Sequence, residues 1–149
     1  MTKDCTKMGS KSTKCVHTGG KEIIYLATPY THKRRDVEQR RFERVTIVSG
    51  LLIKKGIINF SPITQSHEQN RLVDLPGHWD FWQFVDTEFL HRCDEMYVLA
   101  DPGWQESAGV TAEIEIMKKL GKSIKFIKYV EADDEVVFIT ESEARRVKI

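Results

Sequence analysis

Glu113 is the residue whose type and position most clearly call for chemistry. Between Ser107 and Gly121, Val110, Ile114, Met117 and Leu120 recur at the spacing of one helical face, and Glu113 falls inside that stripe. Glu115, Lys118 and Lys119 take the opposite face, as solvated residues do. A carboxylate in the first turns of a helix can simply answer the helix dipole, and Glu106 and Glu115 fit that role because they can face water. Glu113 points inward. A desolvated carboxylate beside a ligand crevice can serve as a nucleophile or a base.

Ser107 heads the same helix. Its hydroxyl suits an N-cap, and the backbone N–H groups of Ala108, Gly109 and Val110 form an anion site by geometry and dipole, with Gly109 permitting close approach. Asp86, four residues after Trp82 and three before Phe89, also lies near an apolar face. It is either a partly buried carboxylate paired with Arg92 or a backbone N–H, or a functional acid. Tyr25 sits in a strand, where a tyrosine packs or reaches a crevice with its hydroxyl. Trp104, in a Gly/Pro loop at a strand end, is placed to stack a planar ligand, whereas Trp79, Phe81, Trp82 and Phe84 read mostly as core. His67 and His78 lack zinc-type helical spacing and read as structural or surface residues. There is no Walker A pattern and no G-x-G-x-x-G, so neither phosphoryl transfer nor a dinucleotide cofactor has motif support, and no cofactor is expected. Cys5, Cys15 and His17 lack a fourth ligand at sensible spacing, so no metal site is expected.

These residues need elements to hold them. Glu22–Ala27 reads as a strand that Pro29 ends, since proline has no N–H to pair. Lys33–Arg41 opens a long helix carrying Val37, Phe42, Val45, Val48 and Leu52 on one face, closed by Gly56. Ile57–Phe60 is a short strand without alternation, as in a parallel sheet covered on both sides. The stretch 61–77 is irregular and is expected to be a functional loop or to hide a short helix. A helix over His78–His91, a strand ending before Asp101, the Ser107–Gly121 helix and a strand at Ile124–Ile127 follow. Val136–Ile139 reads as an edge strand, and Thr140 with Glu143 matches a capping box for a terminal helix.

Strand–helix alternation of this kind predicts an α/β fold: a three-layer, doubly wound, flavodoxin-like domain over 21–149 with a four- to five-stranded, mainly parallel sheet. With strand order 2-1-3-4, the ligand crevice lies between the first and third strands, beyond their C-terminal ends. The loops Thr28–Arg34 and Asp101–Gly109 then flank it, and both are rich in the small and hydroxylated residues that a sugar or phosphate site needs.

Composition narrows the function class. The 149 residues are 40% hydrophobic and 30% charged with a net charge of +1, which suits one ordinary domain and gives no electrostatic case for nucleic-acid polymers or anionic membranes as partners. No apolar run is long enough for a membrane span, no signal-peptide core is seen, and three cysteines suggest a reducing, cytoplasmic setting. Residues 1–20, with Lys3, Lys7, Lys11 and Lys14 against Asp4, read as a disordered basic tail.

Three segments carry a family resemblance. Tyr25-Leu26-Ala27-Thr28-Pro29-Tyr30 resembles the opening Y-L-A-G-P motif of the nucleoside 2-deoxyribosyltransferase superfamily. Ser107-Ala108-Gly109-Val110-Thr111-Ala112-Glu113 with Gly121-Lys122 resembles its S-x-G-x-x-x-E…G-K signature, and Asp86, Leu90 and Asp94 match its D-x-x-x-L-x-x-x-D segment. The Ser107-to-Glu113 spacing is that of the deoxynucleoside 5′-monophosphate N-glycosidase branch. The Trp79–Trp82 and Asp101–Ser107 segments are similar to a group of bacterial and phage domains. The resemblance spans about Ile23 to Ile127 and implies a homo-oligomeric enzyme acting on a small-molecule nucleotide or nucleoside. It implies that Glu113 attacks C1′ and forms a glycosyl ester, resolved by water or by a second base. It further implies that Tyr25 orients Glu113, that Asp86 holds the sugar or assists protonation of the leaving base, and that Ser107 takes a 5′-phosphate. Where the phosphate-binding branch has Gly-Ser this chain has Thr28-Pro29, so Thr28, Tyr30 or Thr31 would have to serve there.

Overall fold

The computed structural model describes residues 21–149, so the basic tail and Cys5, Cys15 and His17 lie outside the described residues. Five strands form one sheet in the order β2-β1-β3-β4-β5: β1 (Ile23–Ala27), β2 (Ile58–Phe60), β3 (Glu95–Leu99), β4 (Ser123–Val130) and β5 (Glu135–Ile139). The first four are parallel, and β5 runs antiparallel to β4. The turn explains the reversal. Only a short 3₁₀ segment, Glu131–Asp133, joins β4 to β5, which permits a hairpin but not a crossover. Pairing with β5 also carries β4 to Val130, beyond the expected Ile127.

Five helices cover the sheet: α1 (Arg35–Lys54), α2 (Pro62–Val73), α3 (Trp79–Arg92), α4 (Ala108–Lys119) and α5 (Glu141–Arg145). Side chains alternate across β1 and β3 and so divide the core in two. Ile24, Leu26, Tyr97 and Leu99 pack with Val45, Val48 and Leu52 of α1. Tyr25, Ala27, Met96 and Val98 pack with Leu90 of α3, Val110 and Met117 of α4 and Ala144 of α5. This is the three-layer arrangement of flavodoxin-like folds. Gly56, at φ 84°, closes α1 in the left-handed conformation, and the Thr140–Glu143 capping box starts α5 with both of its hydrogen bonds made.

Of the two expectations for 61–77, a functional loop or a hidden short helix, the structure has the helix. Ser61 accepts from Thr64 N–H as an N-cap, Pro62 sits in the first turn where its missing N–H costs nothing, and a twelve-residue helix follows. That helix has no apolar stripe, and Pro62 is its one fully buried residue. It stays polar because it faces a cleft instead of the core. No helix among the described residues is long and apolar enough to cross a membrane.

Candidate active site

A cleft of about 320 Å³ opens beyond the C-terminal ends of β1 and β3, where the strand order reverses. Glu113 reaches it from the second turn of α4. Burial along that helix follows the stripe as far as its last turn: Val110, Glu113 and Met117 are buried while Glu115, Lys118 and Lys119 are exposed, and Leu120, the last member of the expected stripe, is exposed as well. Tyr25, on the α3/α4 face of β1 and fully buried, donates its hydroxyl hydrogen to Glu113 Oε2 at 2.5 Å. Asp86, from α3, lines the same cleft and is buried, and no group among the described residues hydrogen-bonds its carboxylate. Arg92, the partner considered from sequence, pairs instead with Glu88 one turn back.

Burial sets the electrostatics. Desolvation raises the Glu113 carboxyl to about 8; the Tyr25 hydrogen bond opposes that rise and the charge of Asp86 adds to it. Desolvation alone raises Asp86 to about 6. Tyr25 is held well above its usual range by burial and by the two carboxylates, and so remains a donor. Two carboxyls facing one cleft therefore titrate across neutral pH with about one proton between them. One ionised and one protonated carboxyl is the equipment of acid–base or nucleophilic chemistry.

The rest of the wall comes from three connections. Ser107 caps α4 by accepting from Val110 N–H at 3.2 Å, and Gly109 lines the cleft, where a Cβ would make only an ordinary contact with Ser107 Oγ at 3.9 Å. Thr28, directly after β1, is buried, and its hydroxyl is a buried side-chain polar atom with no partner. A buried hydroxyl without a partner beside a cleft is free to bond to whatever enters it. Tyr30 lines the cleft with its hydroxyl 2.7 Å from His67 Nδ1. Thr31, two residues beyond the strand-end loop's proline, donates to Gly77 O at 2.7 Å and ties the α2–α3 connection across the mouth. Arg41 of α1 donates to Tyr30 O, Thr31 O and Pro102 O, joining the loop after β1 to the loop after β3. Gly103 is required at that junction: its φ is +96°, and a Cβ there would lie 2.5 Å from Arg41 Nη2.

The structure brings Tyr25, Thr28, Tyr30, Asp86, Ser107, Gly109 and Glu113 together. Trp104 is a correction. Its ring is buried against Phe126 and its indole N–H donates to Ala144 O of α5, so it anchors the terminal helix and cannot stack a ligand in the cleft. The second correction runs the other way: Trp79 and Trp82 are cleft wall, not core, and Phe84 is exposed. Ser66 and Asn70, one turn apart on α2, also line the cleft and were hidden with that helix. Lys122 proves to be a strut, its ammonium donating to the carbonyls of Leu90, His91 and Cys93 at the end of α3. Asp94 likewise accepts from Ile23 N–H and fixes the start of β1.

Comparison with curated proteins finds no match. A family profile does match, over residues 22–129, a span that contains every residue of the cleft wall and runs from β1 through nearly all of β4. The chain belongs to the family described as a domain of unknown function, DUF1937.

Proposed function

We propose that this protein cleaves the N-glycosidic bond of a nucleoside, with Glu113 as the nucleophile. The observation that carries the reading is a buried glutamate opening on a cleft, held by a tyrosine donor and faced by a second carboxyl with no counter-ion. Burial leaves the shared proton mainly on Glu113, so the reactive form is the other tautomer of the singly protonated pair, with that proton on Asp86 and Glu113 ionised. From it a Glu113 oxygen attacks C1′ while the C1′–N bond breaks, its electron pair passing to the base nitrogen. Asp86 gives that nitrogen or its ring partner a proton, and a sugar ester of Glu113 remains. Asp86, now ionised, takes a proton from water as the water oxygen attacks C1′. The C1′–O bond of the ester breaks in the same step, its electron pair returning to the Glu113 carboxylate, and the sugar leaves with retained configuration. Tyr25 keeps its donor on Glu113 and turns the free oxygen toward the sugar. The resemblance to nucleoside 2-deoxyribosyltransferases supports the same assignment.

The lining favours an uncharged nucleoside over a 5′-monophosphate. Among the described residues no lysine or arginine lines the cleft, while Asp86, Glu106 and Glu113 do. A phosphate dianion would meet three carboxyls with only the N-terminus of α4 in its favour. Thr28 and Ser107 instead offer hydroxyls suited to a sugar.

Incubation with a panel of ribo- and deoxyribonucleosides and their 5′-monophosphates, read by chromatographic release of free base, tests the reading. A second base in the mixture separates hydrolysis from transfer. Base release from nucleosides is expected, and Glu113→Gln should lower it on the order of 10³-fold or more while ligand affinity stays. Undiminished release in that variant removes Glu113 from the reaction.

A further inference from the structure

Helix α2 divides into three faces. Thr64 and His67 turn to α1, where Thr64 Oγ1 lies 2.9 Å from Thr46 Oγ1 and the His67 ring stacks on Phe42. Gln65, Glu68, Gln69, Leu72 and Val73 are exposed. Ile63, Ser66 and Asn70 remain. Their spacing of three and four residues sets them on one face, all three are half-buried, and all three line the cleft. The same spacing recurs on α3, where Trp79, Trp82 and the buried Asp86 share a face and line the cleft. Since α2 packs on α1 and α3 on α4, the two stripes are separate walls of one cleft.

The polar group at the outer end of the α2 stripe is unspent. Asn59 shows what a structural asparagine looks like in this fold: its Oδ1 accepts from Ser49 Oγ at 2.7 Å, and its Nδ2 donates to Ser49 O and Ile57 O. Among the described residues no group hydrogen-bonds the Asn70 carboxamide. Its atoms are also open to solvent, because Thr28 Oγ1 alone is both fully buried and without a partner. Asn70 Nδ2 lies 3.7 Å from the point where a Cβ on Gly77, another residue of the cleft wall, would stand. Trp82 differs: its indole N–H is spent on Pro76 O at 2.6 Å, so it offers a ligand only its ring.

We propose that these two stripes form the base subsite: Trp79 and Trp82 carry the plane of a nucleobase, and the Asn70 carboxamide reads an edge that has an N–H beside an acceptor. A carboxamide sets one acceptor oxygen next to a donor NH₂, the complement of such an edge. Indole rings take any base by its π face. The α3 stripe runs outward from Asp86, so a base whose nitrogen stands at Asp86 extends along Trp82 and Trp79, leaving the hydroxyls of Thr28 and Ser107 to the sugar. The identity of the ligand rests on the proposed N-glycosidic reaction; the placement of its base rests on the stripes and the open carboxamide.

Binding to the Glu113→Gln protein, measured by calorimetry, tests the subsite. The parent nucleoside that binds best is compared with an analogue altered at one edge group: purine 2′-deoxyriboside for 2′-deoxyadenosine, 2-pyrimidinone 2′-deoxyriboside for 2′-deoxycytidine, the N3-methyl form for thymidine. The alteration should weaken binding by about tenfold, the worth of one hydrogen bond. Asn70→Leu should erase that difference and leave the penalty for a 3′-deoxy sugar as it was. Trp82→Leu should weaken parent and analogue alike, by about tenfold or more. The free base is titrated in parallel and should bind with the same dependence on Asn70. An edge difference that survives Asn70→Leu, or a sugar penalty erased by it, overturns the subsite even where the wild-type protein releases base. An edge difference that Asn70→Leu erases, in a protein that releases no base, upholds the subsite and overturns the reaction. Failure of every nucleoside and free base to bind overturns both.

Discussion

Asp101 and Glu113 are equally buried, each 6% exposed, and both sit at the C-terminal end of the sheet. Their surroundings are opposite. Asp101 receives two hydrogen bonds from the Arg44 guanidinium, at 2.8 and 2.9 Å, and Arg44 extends a third to Glu131. Glu113 receives one phenolic hydrogen and faces a second carboxyl. A third buried acid, Glu95, follows the Asp101 pattern, with Ser123 and Lys125 at its oxygens. A buried charge costs several kcal/mol unless it is paired. The acids given cations are scaffold: Asp101 fixes the loop after β3 to α1, and Glu95 joins β3 to β4. The two left without cations, Glu113 and Asp86, are the two that line the cleft. Stability would favour giving them partners, and two carboxyls left unpaired in a cleft are what the proposed reaction requires.

The sharpest way to break this comparison is to remove the shared proton. Asp86→Asn should lower base release by about 10²- to 10⁴-fold, the range for loss of a general acid–base. The pH profile should change as well. With Asp86 near 6 and Glu113 near 8, the singly protonated pair exists between those values, so the wild-type rate should follow a bell with limbs near them. In Asp86→Asn one carboxyl is left. The residual rate should rise with pH through the Glu113 value, lowered by loss of the neighbouring charge, and then stay level. A bell of unchanged width in the variant would detach Asp86 from the proton inventory.

Removing a cation from the scaffold acid should instead be paid in stability. Arg44→Met keeps the aliphatic stem of a residue whose side chain is 19% exposed, but leaves Asp101 buried without a counter-ion. A loss of about 3 kcal/mol is expected, the lower end of the range for a broken buried pair, read as a fall in the denaturation midpoint. Base release per folded molecule should change far less than in Asp86→Asn. Equal stability in Arg44→Met would remove the distinction between paired and unpaired acids.

Much of this contrast is legible in the sequence, and the part that is not has a common cause. Glu113 stands out because an acid interrupts a periodic apolar stripe, a purely local signal. The alternation of strands and helices that predicts a parallel sheet is again local, whereas the order 2-1-3-4 enters the sequence reading only as a premise. Trp104 misleads because its partner, Ala144 O, is forty residues away on a helix whose docking no pattern announces. The helix α2 is expected only as one of two alternatives because it packs polar residues against a cleft and so has no stripe, although Ser61-Pro62 is a helix start in plain view. Arg41 ends the charged run from Lys33 that opens α1, and Arg44 follows one turn later with nothing local to mark it. Only the folded chain shows that one ties two loops together and the other neutralises Asp101.

The smallest effect gives the comparison its opposite sign. Glu113→Gln keeps the shape, retains an acceptor for Tyr25 and removes a carboxyl whose folded value, about 8, lies above its ordinary 4.5. Between those two values the folded protein holds a proton that the unfolded chain has lost. Wild-type stability must therefore fall as pH rises through this window. The glutamine variant has no such proton to lose. At pH 4.5 and below the two proteins should melt together, and above pH 8 the variant should be the more stable, by about 1–2 kcal/mol because the carboxylate opens on a solvent-connected cleft. Thermal melts of both proteins at several pH values across the window measure this directly. A variant that melts lower than wild type at alkaline pH would mean that Glu113 is satisfied in the fold, as Asp101 is, and would place it among the scaffold acids.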